Sequence, residues 1–203
     1  YKIADGAEIT LEINPGTLSP EKVKAYKKAG FNRFSVGLQS ADDNMLRKLN
    51  RIHTAKDFLY ACELLRGENL SADVMIGLED QTIDDVKATI DLAIKGGAKH
   101  ISCYALKPEE GTIMYGKYLN GDLPDADEVA DLYDGAVAYL KENGFETVTV
   151  SDLVAYYENG SPLPEKPVML TFDDGYYNNY LYAYPLLKEY NAKAVLSIIG
   201  ICS

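Results

Sequence analysis

The chain has 203 residues, with 20 Lys and Arg against 31 Asp and Glu and a formal net charge of -11. That length accommodates one domain or two small ones and excludes a large multidomain machine. The composition, 47% hydrophobic and 25% charged, provides for a core and excludes global disorder. Its acidity argues against a general binder of nucleic acid or anionic membranes, which needs an excess of Lys and Arg. Cys62, Cys103 and Cys202 are too few and too scattered for a disulfide framework or a metal-ligand cluster. No apolar run approaches a membrane span and no basic-then-apolar leader opens the sequence, so a cytoplasmic location is expected.

In chain order, Ile9–Ile13 reads as a strand. Ser19-Pro20-Glu21 then opens a helix with Ser as its cap and Pro at its first position, and Gly30 stops it. Arg33–Leu38 is the next strand, followed by a break and a helix over 54–66 with Thr54 as its cap. Ala72–Leu78 is a third strand, Thr82–Lys95 a helix ended by Gly96-Gly97, His100–Leu106 a fourth strand and Asp125–Asn143 a long amphipathic helix. The alternation predicts βαβ units and a parallel sheet. Beyond Asn143-Gly144 the same pattern continues with a tyrosine-rich composition. A strand over 145–150, a helix capped by Ser151, a strand over 168–172, a helix over 180–190 and an apolar strand over 192–200 are expected.

Ligands of parallel sheets bind beyond the carboxyl ends of the strands. Glu12, Gln39-Ser40, Asp73 and Tyr104-Ala105 lie in or at the ends of the predicted strands, and Arg51 follows in Leu49-Asn50-Arg51-Ile52-His53-Thr54. Position alone leaves two readings, ligand contacts or caps for helices and loop backbones; His53 reads as a helix-start or loop histidine.

Five stretches add a resemblance: 8–17 (EITLEINPGT), 32–40 (NRFSVGLQS), 50–54 (NRIHT), 73–78 (DVMIGL) with Gln81-Thr82, and 100–106 (HISCYAL). In this order they resemble radical S-adenosylmethionine proteins related to oxygen-independent coproporphyrinogen III oxidase, on the heme-chaperone branch, over about Glu8–Glu146. The resemblance implies that Glu12, Gln39, Arg51 and Asp73 contact S-adenosylmethionine and that Ala105 contributes a backbone contact. It also implies a [4Fe–4S] cluster on a Cys-x-x-x-Cys-x-x-Cys loop. The sequence has no such triad, so radical generation is expected to fail in this chain while partial cofactor binding survives.

A second motif is Thr171-Phe172-Asp173-Asp174-Gly175, an apolar strand that delivers two carboxylates. Adjacent carboxylates suit metal-assisted hydrolysis, and they also suit an Asx-type turn with a helix cap. The segments from Gly144, Pro164 and Asn191 are similar in order to NodB-type polysaccharide deacetylases. That similarity implies Asp173 as general base and Asp174 as ligand of a divalent metal such as zinc, acting on N-acetylated polysaccharide. The implied His-x-x-x-His partner is absent, because the two histidines are His53 and His100.

The expected fold is α/β: a partial parallel (β/α) barrel of radical S-adenosylmethionine type over 1–143, then the first β/α units of a NodB-type barrel over 144–203. The expected function is that of a coproporphyrinogen oxidase-like or heme-chaperone protein, with heme or a porphyrin as partner and no nucleic acid. A deacetylase portion and a non-catalytic chimeric fragment are the alternatives. Both families are enzyme-like, and each is expected to lack essential ligands here.

Overall fold

The computed structural model describes residues 3–172, 181 and 183–197. Four strands, β1 (Thr10–Ile13), β2 (Arg33–Gln39), β3 (Asn69–Ile76) and β4 (His100–Ala105), pair in parallel in the order β1-β2-β3-β4. Strands consecutive in sequence are neighbours in the sheet, which is the order of a (β/α) barrel; a doubly wound sheet reverses its order at a switch point.

Side chains of a strand alternate between its faces, and here the two faces differ in chemistry. Ile13, Phe34, Val36, Leu38, Leu70, Ala72 and Val74 form one buried core with Val23, Phe58, Ala61, Cys62 and Ala93. Those partners sit on α1 (Pro20–Lys28), α3 (Ala55–Leu64) and α4 (Ile83–Lys95), so the helices cover the apolar face. The opposite parity carries Glu12, Ser35, Gly37, Ser71, Asp73, Ser102 and Tyr104. A parallel sheet buried on both faces reads as continuous apolar runs; β3 reads Asn-Leu-Ser-Ala-Asp-Val-Met-Ile, because only one face packs on helices.

The helices begin where local chemistry tells them to. Ser19 accepts the Lys22 amide at the start of α1. Thr54 and Asp57 form a reciprocal capping box on α3, and Thr82 and Asp85 repeat it on α4. Gly96 ends α4 against α3: a Cβ there would lie 2.9 Å from Cys62 Sγ and 3.0 Å from Phe58 Cε1. Gly96→Ala should therefore cost about 1–3 kcal/mol through overpacking. Gly116→Ala, which meets nothing within 4 Å, should be neutral or stabilising by up to about 1 kcal/mol. Urea midpoints of the two variants test the contrast, and equal midpoints would remove the close approach as its cause.

Two helices differ from the sequence expectation. α2 (Asp43–Lys48) fills the expected break, and α5 (Ile113–Asn120) lies between Thr112 as N-cap and Gly121, with φ 76, as C-cap. β3 begins at Asn69 instead of Ala72, since Asn69, Leu70 and Ser71 continue the alternation and pair with β2.

The chain divides into two compact units, Tyr1–Leu132 and Tyr133–Ser203, and α6 (Ala126–Glu142) runs through the division. In the second unit β5 (Glu146–Thr147) pairs in parallel with β6 (Pro167–Val168), and β7 (Leu170–Phe172) with β8 (Ala194–Leu196). The expected strand over 145–150 is cut short because Thr149 and Asp152 form a third capping box. That box starts α7 (Val150–Asn159) two residues ahead of the expected Ser151 cap. α8 (Tyr184–Glu189) occupies part of the expected 180–190 helix. Asp173 and Asp174 lie outside the described residues.

Candidate functional site

Gln39 ends β2 in a conformation that ordinary L-residues avoid, with φ 59. Such a backbone costs on the order of 1–3 kcal/mol and gathers at functional sites. The pairing slips just before it: Gly37 faces Asp73 while Gln39 faces Val74, leaving Leu38 as an extra residue, a β-bulge. The Gln39 side chain folds back over Gly37, where a Cβ would lie 2.5 Å from Nε2. Gly37 thus leaves the amide its space on the polar face. Gln39 is 4% exposed, and its buried Oε1 has no hydrogen-bond partner among the described residues. A buried acceptor left open costs about 1–3 kcal/mol, a cost that a donor brought to it would relieve.

Asp73 stands beside it. Ser35 Oγ lies 2.9 and 3.0 Å from the two Asp73 carboxylate oxygens and 2.7 Å from Ser71 Oγ. The Ser35 hydroxyl has one proton, which it donates to Asp73 while accepting from Ser71. The buried serine pair therefore anchors the half-buried carboxylate from beneath and leaves its other lone pairs open. Glu12 is exposed near the end of β1.

Arg51 follows Asn50, which turns the chain with φ 55, and its amide donates to the Leu46 carbonyl at 2.9 Å. The side chain is half-buried and forms no ion pair among the described residues.

Tyr104 on β4 lies within electrostatic reach of these groups. Desolvation raises its phenol pKa above the ordinary value, and the Asp73 carboxylate adds to the rise. A hydrogen bond from the Gln39 amide and the charge of Arg51 oppose it, and Glu12 raises it further. Four residues expected as ligand contacts, drawn from β1, β2, β3 and the loop before α3, thus act on one phenol. Tyr104 is a strand-end candidate by position, to which the resemblance assigns no contact; its strand parity is that of Ser102, which faces Asp73. Ser35 and Ser71 were missed because a serine inside an apolar strand has no motif. Ala105 follows Tyr104 at the exposed end of β4 and pairs with Ile76.

Two carboxylates and an unpaired guanidinium on one sheet edge match an amino acid head group with hydroxyls: Arg51 for a carboxylate, Glu12 and Asp73 for an ammonium or a ribose. From Arg51 an open cleft of about 330 Å³ continues along Lys48, Asn50, Met75, Thr112 and Met114.

The cysteines serve a different purpose. Cys62 is buried in the core, and desolvation pushes its thiol up to about 12. Such a thiol stays protonated, whereas a cluster ligand is a thiolate. Cys103 is on β4 and Cys202 lies outside the described residues. The residues present therefore do not fit a [4Fe–4S] cluster. Zinc at the second unit likewise finds no support: no group of three His, Cys, Asp or Glu among the described residues could hold a metal. Both histidines fall in the first unit.

Residues 1–93 match the radical SAM superfamily and residues 160–201 match polysaccharide deacetylase. The chain is 34% identical over 151 residues to the heme chaperone HemW of Buchnera aphidicola from Schizaphis graminum, covering 73% of this chain and 40% of the relative. It is 34% identical over 154 residues to HemW of Bacillus subtilis, covering 73% and 41%. Against the bovine mitochondrial radical S-adenosyl methionine domain-containing protein 1 the identity is 35% over 151 residues, covering 72% and 34%. The chain thus spans about two fifths or less of the length of these relatives. Among solved structures, coproporphyrinogen III oxidase HemN of Escherichia coli superposes with TM-score 0.58 at 22% identity, covering 68% of this chain and 33% of that one. The archaeal Elp3 of Methanocaldococcus infernus gives TM-score 0.58 at 22% identity, covering 64% and 32%. Both share the fold of the parallel sheet. Over the portion that these relatives cover, the chain resembles the radical SAM family of coproporphyrinogen oxidase-like proteins and heme chaperones.

Proposed function

We propose that the first unit is an S-adenosylmethionine-binding module of a protein that handles heme or a porphyrin. The observation that carries this reading is the convergence of Glu12, Gln39, Arg51 and Asp73 on Tyr104, with a buried Gln39 acceptor left open. Arg51 takes the methionine carboxylate. Asp73, held by Ser35, and Glu12 take the ammonium and the ribose hydroxyls, Gln39 Oε1 accepts from a ligand donor, and Ala105 offers its backbone. S-adenosylmethionine, when bound, supplies a sulfonium-linked adenosyl group. The 203 residues provide binding and orientation. Heme or a porphyrin enters through the names of the relatives, and the cleft beside Arg51 is where an extended ligand has room.

No helix among the described residues is long and apolar enough to cross a membrane, and we place the protein in the cytoplasm. The junction between its two parts is assigned to 143–144. Two features support it: α6 ends at Glu142, and Gly144 turns the chain with φ 77.

Titration calorimetry of the full chain with S-adenosylmethionine should give saturable one-to-one binding. The absence of binding up to about 1 mM ligand, where association is worth only about 4 kcal/mol, would overturn the reading.

The match of residues 160–201 to polysaccharide deacetylase favours a second reading for the C-terminal part. In it Asp173 is the general base and Asp174 a metal ligand, acting on N-acetylated polysaccharide. Release of acetate from an acetylated oligosaccharide, lost in Asp173→Asn, supports it; no release sets it aside.

A further inference from the structure

His53 is 3% exposed and lies immediately before the Thr54 cap of α3. Its Nδ1 is 3.2 Å from Asn14 Oδ1 and its Nε2 is 3.4 Å from the Leu38 carbonyl. Each partner adjoins a residue of the candidate site: Asn14 follows Glu12 by two positions, and Leu38 precedes Gln39. His53 itself stands two positions after Arg51. One imidazole therefore touches the loop after β1 and the end of β2 while belonging to the loop that carries Arg51. Gly16, in the 3-10 turn Pro15–Thr17, packs on the same residue; a Cβ there would sit 3.6 Å from His53 Cβ.

β1 and β2 are already paired as far as Ile13 and Val36, and the Pro15–Thr17 turn packs on β2 and α3; His53 adds the loop of Arg51 to this junction. Asn50 is in the left-handed region, as is Gln39, and Ile52 between Arg51 and His53 is 79% exposed. The Asn50 and Arg51 amides tie the loop back to α2 at the Arg47 and Leu46 carbonyls, and His53 is its one buried side chain. The charges that bear on the imidazole are Arg51, on its own loop, Asp43 of α2 and Asp57 of α3. Asp43 also accepts the Ala55 amide at 2.8 Å, which ties α2 to the start of α3.

We propose that His53 is a positioning residue that holds Glu12, Gln39 and Arg51 in register with one another by bridging Asn14 and the Leu38 carbonyl. The role rests on the S-adenosylmethionine reading only for its effect on affinity; the bridging of three loops is a property of the chain itself.

Burial lowers the His53 pKa below its ordinary value, with Arg51 acting in the same direction and the Leu38 carbonyl, Asp57 and Asp43 opposing. The neutral ring is therefore the form that the fold prefers: its one N–H, on Nε2, donates to the Leu38 carbonyl, and Nδ1 accepts from the Asn14 amide once that group is turned to present its nitrogen. In the window between the ordinary pKa near 6.5 and the lower folded value, the unfolded chain binds the extra proton. The stabilising contribution is thus complete above about pH 6.5 and declines as pH falls through that window.

The test uses the full chain with His53→Leu and His53→Gln. The glutamine amide keeps a donor and an acceptor, whereas leucine keeps only bulk. Amide hydrogen exchange, read without ligand, should quicken together at 13–18, 39–42 and 50–54 in His53→Leu, remain slow in β3, and return toward normal in His53→Gln. S-adenosylmethionine affinity should fall by about tenfold in His53→Leu, the loss of about one buried hydrogen bond, and stay within threefold of wild type in His53→Gln. The fall in wild-type affinity below pH 6.5 should flatten in His53→Gln. Exchange that quickens at only one of the three segments overturns the proposal, and so does a His53→Leu variant that binds as wild type does. If the wild-type chain shows no binding, the cofactor reading fails, and the exchange pattern alone still decides whether His53 joins the three loops.

Discussion

Arg51→Met should weaken S-adenosylmethionine binding by about 10- to 150-fold, the equivalent of the 1.5–3 kcal/mol carried by a hydrogen bond to a charged group. The reasoning starts from what Arg51 lacks within the fold. It is half-buried and has no ion pair among the described residues, so removing its charge leaves no stranded carboxylate and should leave the thermal midpoint unchanged. Methionine preserves the apolar stem, which restricts the loss to the guanidinium. Arg51→Lys should recover part of the affinity, because the charge returns without the planar fork that pairs with both oxygens of a carboxylate. Calorimetry of the three proteins side by side checks this order. Equal affinities would show that the methionine carboxylate lies elsewhere, and a collapse of the melting temperature would show that Arg51 supports the fold instead of the ligand.

The largest expected loss of stability comes from Phe34→Ala. Phe34 is fully buried on the helix-covered face of β2, in one cluster with Phe58, Val36 and Leu70. Truncating a buried phenylalanine costs about 3–5 kcal/mol through lost transfer energy and a residual cavity. Against a typical total of about 5–15 kcal/mol, that is a large share of what holds a domain together. Ile52→Ala, at a side chain 79% exposed, should stay within about 0.5 kcal/mol of wild type. Urea unfolding followed by circular dichroism gives both values, and a Phe34→Ala midpoint close to wild type would show that the first unit does not fold around this cluster.

Where the sequence was legible, it was so for physical reasons that can be named. Threonine followed by aspartate three positions on is a self-contained device, and at Thr54 and Thr82 it places the helix starts without knowledge of the rest of the chain. At Thr149 the same device competes with Ser151, since an adjacent serine and aspartate also read as a cap, and the fold uses Thr149. α2 escaped notice because six residues are too few to display a helical period. α5 escaped because it contributes no buried residue and so has no apolar stripe to read.

Family likeness, not spacing, pointed to Glu12, Gln39, Arg51 and Asp73. What the sequence could not convey is how they meet. The bulge at Leu38 and the left-handed backbone of Gln39 arise from pairing with β3, a tertiary event. The open Gln39 acceptor exists only once Gly37, Asp73 and Tyr104 surround it. Ser35, buried beneath Asp73, belongs to the same class: its meaning lies in a partner on the neighbouring strand.

The two-faced sheet also divides the consequences of mutation within a single strand. Along β3, Leu70 and Val74 face the helices, while Ser71 and Asp73 face the site. An alanine scan over Leu70–Val74 should therefore oscillate with a period of two residues. Melting temperature falls at one parity and ligand affinity at the other. Folding and recognition are written on alternate letters of the same segment, so each can drift, or be engineered, with little disturbance to the other.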